Sequence, residues 1–152
     1  MLQSTMRPIT AREAFPMRRY LLRPMLAAAA SRYDEDDHPE AIHLGAFADL
    51  GGGEELVGVV SFLPRTEQGE LSTEVFQLQG MVTLPAVRHK GIGTKLADYG
   101  IAILIDGGAT SVWCNGRTPA RSFYERLGFQ AVGKEFITPG TGPHYRFVRD
   151  LS

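Results

Sequence analysis

The chain is nearly free of cysteine, and Cys114 is the only one. A lone thiol closes no intramolecular disulfide and builds no cysteine metal cluster, so the fold must rest on its core, and no metal is expected. An excess of either charge is missing as well. Lys and Arg number 16 against 17 Asp and Glu, a net charge of −1. That is not the basic face nucleic acid demands, so no nucleic-acid partner is expected. Long apolar runs are absent too: the small-apolar run from Leu26 to Ala30 is far short of the roughly 20 residues a membrane span needs. The start of the chain has no basic segment leading into a long apolar one. A cytoplasmic protein without membrane attachment is the expectation. What is present is ordinary globular material, 43% hydrophobic and 22% charged over 152 residues. That suffices for one core and is too little for two, so residues 1–152 read as a single domain.

Glycine, in contrast, is placed tellingly. Arg88-His89-Lys90-Gly91-Ile92-Gly93 follows an apolar, strand-like run from Leu78 to Leu84 and opens a helix-like one. Without Cβ atoms, Gly91 and Gly93 let backbone N–H groups approach a bulky oxyanion, and the free N–H groups and dipole of a helix start favour negative charge. Arg88 and Lys90 add cations at the same mouth. A pyrophosphate suits it, whether from a nucleotide or from coenzyme A; the plain alternative is a glycine-rich turn between strand and helix. Two commoner phosphate motifs do not match. Gly91-Ile92-Gly93-Thr94-Lys95 lacks the spacing and the Lys-Thr order of a P-loop. A dinucleotide fingerprint needs a third glycine where Leu96 stands, and an acid about 20 residues on, where Asn115, Gly116 and Arg117 stand.

Thr10 and Glu13 have the spacing of a capping box, but Pro16 would interrupt a helix started there. The first helix is therefore expected either there or with Pro16 in its first turn, ending before Pro24. The charge-dense Ser31–Glu40 stretch reads as a solvated loop. Ile42–Leu50 and Leu56–Phe62 flank Gly51-Gly52-Gly53-Glu54-Glu55 as an antiparallel hairpin, and a third strand ends before Pro85. Ile92, Leu96, Ala97, Ile101 and Leu104 fall at helical spacing up to a stop at Gly107-Gly108, a helix of about four turns. Ala109–Cys114 reads as a buried strand. Thr118-Pro119 reads as the N-cap and first-turn proline of a short helix closed by Gly128. Strands Gln130–Ile137 and Tyr145–Leu151 flank a loop from Thr138 to His144. The predicted order is α-β-β-β-α-β-α-β-β.

A strand, the Arg88–Gly93 loop, a helix, a strand ending in Asn115, then Ala120 and Phe123-Tyr124-Glu125-Arg126-Leu127-Gly128-Phe129 together resemble the GNAT family of N-acetyltransferases. The loop is similar to the family's Q/R-x-x-G-x-G/A motif, and the Tyr-Glu-Arg-Leu-Gly-Phe block to its C-terminal signature. The similarity is close from Gln77 to Phe129. Leu22-Arg23-Pro24, Trp113-Cys114-Asn115 and Gly142-Pro143-His144-Tyr145 resemble a bacterial branch of uncharacterised acetyltransferases. The resemblance implies an α/β (α+β) fold with a mixed, twisted central sheet of six to seven strands, splayed near its middle and flanked by helices. Acetyl-CoA would wedge between the strand ending near Thr83 and the strand ending near Asn115. It further implies that main-chain groups of Met81, Val82 and Thr83 pair with the pantetheine arm and that Arg88, His89, Lys90, Gly91, Ile92, Gly93 and Thr94 form the pyrophosphate seat. Asn115 would bond the pantetheine and Phe123 would pack beside it.

The implied function is transfer of an acetyl group from acetyl-CoA, as cosubstrate, to a primary amine of a small molecule or peptide, by direct attack in a ternary complex. A CoA-binding module without turnover is the alternative, and a homodimer is among the assemblies the sequence allows. The reaction needs a neutral nitrogen, donors for the oxyanion and an acid for the departing thiolate. By the resemblance Tyr124 is that acid; its other reading is a residue packing one edge of a helix. The base is less plain. Many members carry a glutamate on the strand before the loop, but that face presents Gln77 and Gln79, and Glu74 has the opposite parity unless a bulge intervenes. Water relayed to Glu74, His38 or His144, or an amine arriving neutral, are the alternatives. Cys114 as an acetyl carrier is weighed against a small buried residue, Trp113 reads as core, and the acids from Asp34 to Asp37 as a solvated loop or a steering patch for cationic acceptors.

Overall fold

Runs rich in Val, Ile and Phe, punctuated by glycine and proline, give seven strands among the described residues of the computed structural model, which are 2–22 and 32–152. The elements are β1 (Thr5–Pro8), α1 (Ala11–Met17), β2 (Ile42–Asp49), β3 (Glu54–Leu63), β4 (Val75–Thr83), α2 (Ile92–Asp106), β5 (Ser111–Arg117), α3 (Arg121–Arg126), β6 (Gln130–Thr138) and β7 (Gly142–Asp150). The strands form one sheet in the order β1-β2-β3-β4-β5-β7-β6. Every neighbouring pair is antiparallel except β4 and β5. The expected Leu26–Ala30 run and the helix stop before Pro24 lie outside the described residues.

β4 and β5 are paired only between Val75–Gln77 and Ser111–Trp113. Past these, β4 keeps its bonds to β3 and β5 keeps its bonds to β7, so the sheet opens along the second half of both strands. The cause lies partly in β4 itself. Its register against β3 shifts between Val59 and Ser61, which face Val82 and Gln79, so two residues, Gly80 and Met81, stand opposite one. Gly80 carries φ +64 in this bulge, and a Cβ there would come within 3.0 Å of Arg18 Nε. Such a conformation and so close an approach suit glycine.

The main core lies on one face, where Leu96, Ala97, Ile101 and Leu104 of α2 meet Leu44, Phe62, Phe76, Leu78, Val112 and Phe147. Gly100 lets α2 sit tightly against β3, since a Cβ there would be 2.0 Å from Phe62. A smaller cluster of Ala14, Met17, Val59 and Val82 packs α1 on the opposite face. Of the two starts expected for the first helix, the one at Thr10 is realised, and the N-cap role expected of Thr118 is corrected. The Thr10–Glu13 capping box forms, with Glu13 N donating to Thr10 Oγ1 at 3.1 Å and Thr10 N to Glu13 Oε1 at 2.9 Å. Pro16 is accommodated inside α1, which then widens into a π-helical turn over Arg18–Leu22. Thr118 is not a side-chain N-cap; a 3-10 turn at Thr118–Ala120 precedes α3, and the Thr118 hydroxyl donates to Glu135 instead. β1, which the sequence reading omitted, pairs with β2 at the sheet edge.

Candidate active site

The glycine loop becomes a set of open backbone donors. Gly91 is the N-cap of α2 with φ +80, and no side chain caps the helix. The first helical bond runs from Lys95 N to Gly91 O at 3.1 Å, so the N–H groups of Ile92, Gly93 and Thr94 have no intrahelical acceptor. His89 also has a left-handed φ of +64, which turns the loop around the helix start. Met81, Val82, Thr83, Val87, Arg88, His89, Gly91, Ile92, Gly93, Thr94, Phe123 and Arg126 line a cavity of about 600 Å³ at this point. Most of the residues expected to hold the cofactor therefore meet in one place. Lys90 is exposed beside the lining and Asn115 is outside it. Val87 and Arg126 join the lining although sequence reasoning did not name them. Arg126 was traceable, because it lies one helical turn after Phe123 and so shares its face.

The far wall of the gap is the edge of β4 that turns away from β5. From Leu78 to Thr83 that edge has no strand partner among the described residues, so its main-chain groups are open to an extended ligand, as in strand addition. Phe123 and Met81 close in on Gly93, where a Cβ would sit 3.7 and 3.8 Å from them, leaving space for a visitor's backbone contacts.

Tyr124 points its ring into the core rather than lining the cavity. It stacks on Phe147 with centroids 4.7 Å apart and meets Phe123 and Phe129 edge-on. Gly116 makes this possible, since a Cβ there would be 2.4 Å from the Tyr124 ring. The hydroxyl is close enough to the Cys114 thiol for the two groups to influence each other's titration. Burial pushes the phenol's pKa up, and the neighbouring thiol adds to the rise; burial likewise pushes Cys114 up to about 12, against the opposing hydrogen bond from Tyr124. Both groups are protonated at neutral pH. The thiol is thus the small buried residue of the two readings, without the thiolate that acyl exchange needs.

The opposite face of the gap is built from paired side chains. Trp113, Asn115 and Arg117 of β5 point there. Arg146 of β7 donates to Asn115 Oδ1 at 2.7 Å and to Glu67 Oε1 at 3.1 Å while lying 4.4 Å over the Trp113 ring. Trp113 donates to Arg65 O at 2.9 Å. The acidic segment is tied down rather than left free: Glu35 pairs with Arg65, and Asp36 accepts from the buried Arg18 at 2.7 Å. Arg18 also reaches Ser61 and His43 beside the β4 bulge. Gln77 and Gln79 hold the β4 positions, with no carboxylate among them.

The profile of the acetyltransferase (GNAT) family matches residues 10–129. The chain belongs to the GNAT family. It is 30% identical over 143 residues to the uncharacterised N-acetyltransferase YitI of Bacillus subtilis, which covers 94% of this chain and 93% of that one. Its fold is similar to a crystal structure of an aminoglycoside 6′-N-acetyltransferase complexed with coenzyme A, with a TM-score of 0.72, 16% identity and 97% of both chains covered. It is also similar to the GNAT N-acetyltransferase YhbS of Escherichia coli in complex with CoA, with a TM-score of 0.71, 23% identity, and coverage of 100% of this chain and 83% of that chain. The seven-stranded open sheet is a GNAT sheet, and the protein is an acyltransferase. No helix among the described residues is long and apolar enough to cross a membrane.

Proposed function

We propose that this GNAT acyltransferase, working as one domain, transfers acetyl from acetyl-CoA to a primary amine of a small molecule or peptide in a ternary complex. The observation that carries this reading is the uncapped start of α2, opening onto a cavity whose other wall is the unpaired edge of β4. N–H groups of Ile92, Gly93 and Thr94, with Arg88 and Arg126 nearby, suit a diphosphate. The open edge of β4 from Leu78 to Thr83 suits an extended amide-bearing arm, and Phe123 would pack beside it. The relatives described with coenzyme A support the cofactor class.

Tyr124 supplies the proton for the departing thiolate. Its raised pKa keeps the phenol intact at neutral pH, so that it has a proton to give. Asn115, bound to Arg146 on the other face, belongs to the acceptor side. The test is to incubate the enzyme with acetyl-CoA and a panel of spermidine, kanamycin and a short peptide, following acetylated amine and free CoA thiol together. Wild-type protein forms both; thiol and product both absent across the panel would leave only a CoA-binding role. Tyr124→Phe lowers kcat by about 10²- to 10⁴-fold, the range general acid catalysis commands, without altering CoA affinity. Unchanged turnover would remove Tyr124 from the reaction.

A further inference from the structure

We propose that His144 is the general base of this reaction, taking a proton from the acceptor's ammonium on Nε2; the inference rests on the acetyl-transfer reading above. A lysine-like amine has a pKa near 10.4 and is mostly protonated at neutral pH, so the enzyme needs a group to receive that proton. β4 presents glutamines where a carboxylate would serve. Glu74 precedes β4 and is exposed, with its backbone carbonyl occupied by the N–H groups of Thr110 and Ser111.

His144 is brought to the acceptor side by strand register. On β5 and β7 the pairs Asn115–Arg146 and Arg117–His144 alternate with Cys114–Phe147 and Gly116–Tyr145. Directly opposed residues share a face and successive ones alternate. Cys114, Phe147 and Tyr145 pack in the main core under α2, so Arg117 and His144 project from the other face. By that point β4 has left β5, and the end of β5 borders the gap.

The tautomer is determined as well. Nδ1 of His144 lies 2.8 Å from Gly142 O, and a carbonyl can only accept, so Nδ1 carries the hydrogen, and in the neutral ring the lone pair is on Nε2. The ring is 8% exposed and stacked on Phe136 at 5.8 Å, which holds its direction. His43, the other buried imidazole, is different in kind: its two nitrogens meet Ser61 Oγ and Asp36 O, leaving no lone pair for a substrate. The charged groups around His144 are Arg117 across β5, Arg146 two residues along β7, and Lys134 and Glu135 on β6, the latter accepting from Thr118.

The step balances. His144 Nε2 takes one proton from the ammonium; the freed nitrogen lone pair attacks the thioester carbon and the C–N bond forms. The C–S bond then breaks, the thiolate takes the Tyr124 proton, and the nitrogen's surplus proton returns to the phenolate.

The experiment compares wild type, His144→Gln and His144→Ala with spermidine, kanamycin and a short peptide. It records acetylated amine from pH 5.5 to 9.5, together with CoA affinity and melting temperature. The expected result is a fall of about 10²-fold or more in kcat for both variants. The acidic limb of the wild-type profile disappears, CoA affinity stays within about twofold, and added imidazole restores amide formation in His144→Ala. Both variants keeping that limb, with kcat within about threefold of wild type, would overturn the base assignment alone. So would variants that lose turnover but resist imidazole while still binding CoA and melting as wild type. A wild type that binds CoA yet acetylates none of the amines would overturn the transfer reading, and His144 with it.

Discussion

The two faces of the splayed sheet are built from different materials. On the α2 face, the mouth proposed for the cofactor consists of main-chain N–H groups, two glycines and an unpaired strand edge, lying over an aromatic core. On the α1 face, the floor consists of long charged side chains linked in pairs: Arg18 with Asp36, Arg65 with Glu35, Arg146 with Glu67. A backbone seat recognises a group common to every CoA thioester. A side-chain floor can differ from one enzyme to the next without disturbing the sheet. On the proposed assignment, the cofactor class follows from the fold, and acceptor choice from individual residues.

The largest effect expected from this contrast is on stability. Arg18 is fully buried and its partner Asp36 is 9% exposed. Removing Asp36 takes the carboxylate counter-charge from a buried guanidinium that keeps its bond to Ser61, and losing one member of a buried ion pair costs about 3–5 kcal/mol. Asp36→Ala should shift urea unfolding by that amount. The exposed pair of Arg7 and Glu54, 45% and 52% exposed, is the control: Glu54→Gln should cost less than about 1 kcal/mol, since water screens it already. Equal losses in the two variants would mean that the floor of the α1 face is wetter than its geometry indicates.

A middle-sized effect separates binding from folding on the α2 face. Gly93 is in the first turn of α2, with 3.7 Å of clearance to Phe123 for an added Cβ. Gly93→Asp therefore fits, and a carboxylate near a helix start favours the fold slightly. The same carboxylate occupies the seat of a diphosphate and repels it. CoA affinity measured by calorimetry should fall by roughly 100-fold, about 2.7 kcal/mol, with melting temperature unchanged or raised. Unaltered affinity would place the diphosphate elsewhere.

The same contrast governs how much could be read before any coordinates. The α2 side was legible because its signals are local: glycines at fixed offsets after an apolar strand, the 3.6-residue period of Ile92 to Leu104, and the closing Gly128. The α1 side was not, because its contacts join residues far apart in the chain, such as Arg146 with Glu67 and Trp113 with Arg65. No local pattern announces a buried Arg18. β1 escaped notice because four residues ending in proline, on a sheet edge, carry no alternation. The sequence admits a bulge in this strand only as a condition on the parity of Glu74. Its form, an extra residue in β4, follows from pairing with β3, which the strand's own residues do not encode. The motif suggests Asn115 as a cofactor ligand; what it does not announce is the bond that its Oδ1 accepts from Arg146.

The smallest effect concerns the dryness of the core behind the cofactor mouth. Burial raises Cys114 from 9.0 to about 12, so in the folded protein the thiol stays protonated over a range in which the unfolded chain releases its proton. Fewer protons are then bound in the unfolded state, and stability must fall as pH rises. The contribution is intact below about pH 9 and is lost progressively towards pH 12. Tyr124, raised from 10.0 by the same burial, adds its own loss above pH 10, so the interval from pH 8 to 10 isolates the thiol. Over that interval, with a reductant present, wild type should lose about 1.4 kcal/mol more stability than Cys114→Ala, the equivalent of one pKa unit. Parallel pH dependences would mean that water reaches Cys114 in the native state. The neighbouring Tyr124 hydroxyl would then be hydrated too, and the dry face would end at the glycine loop.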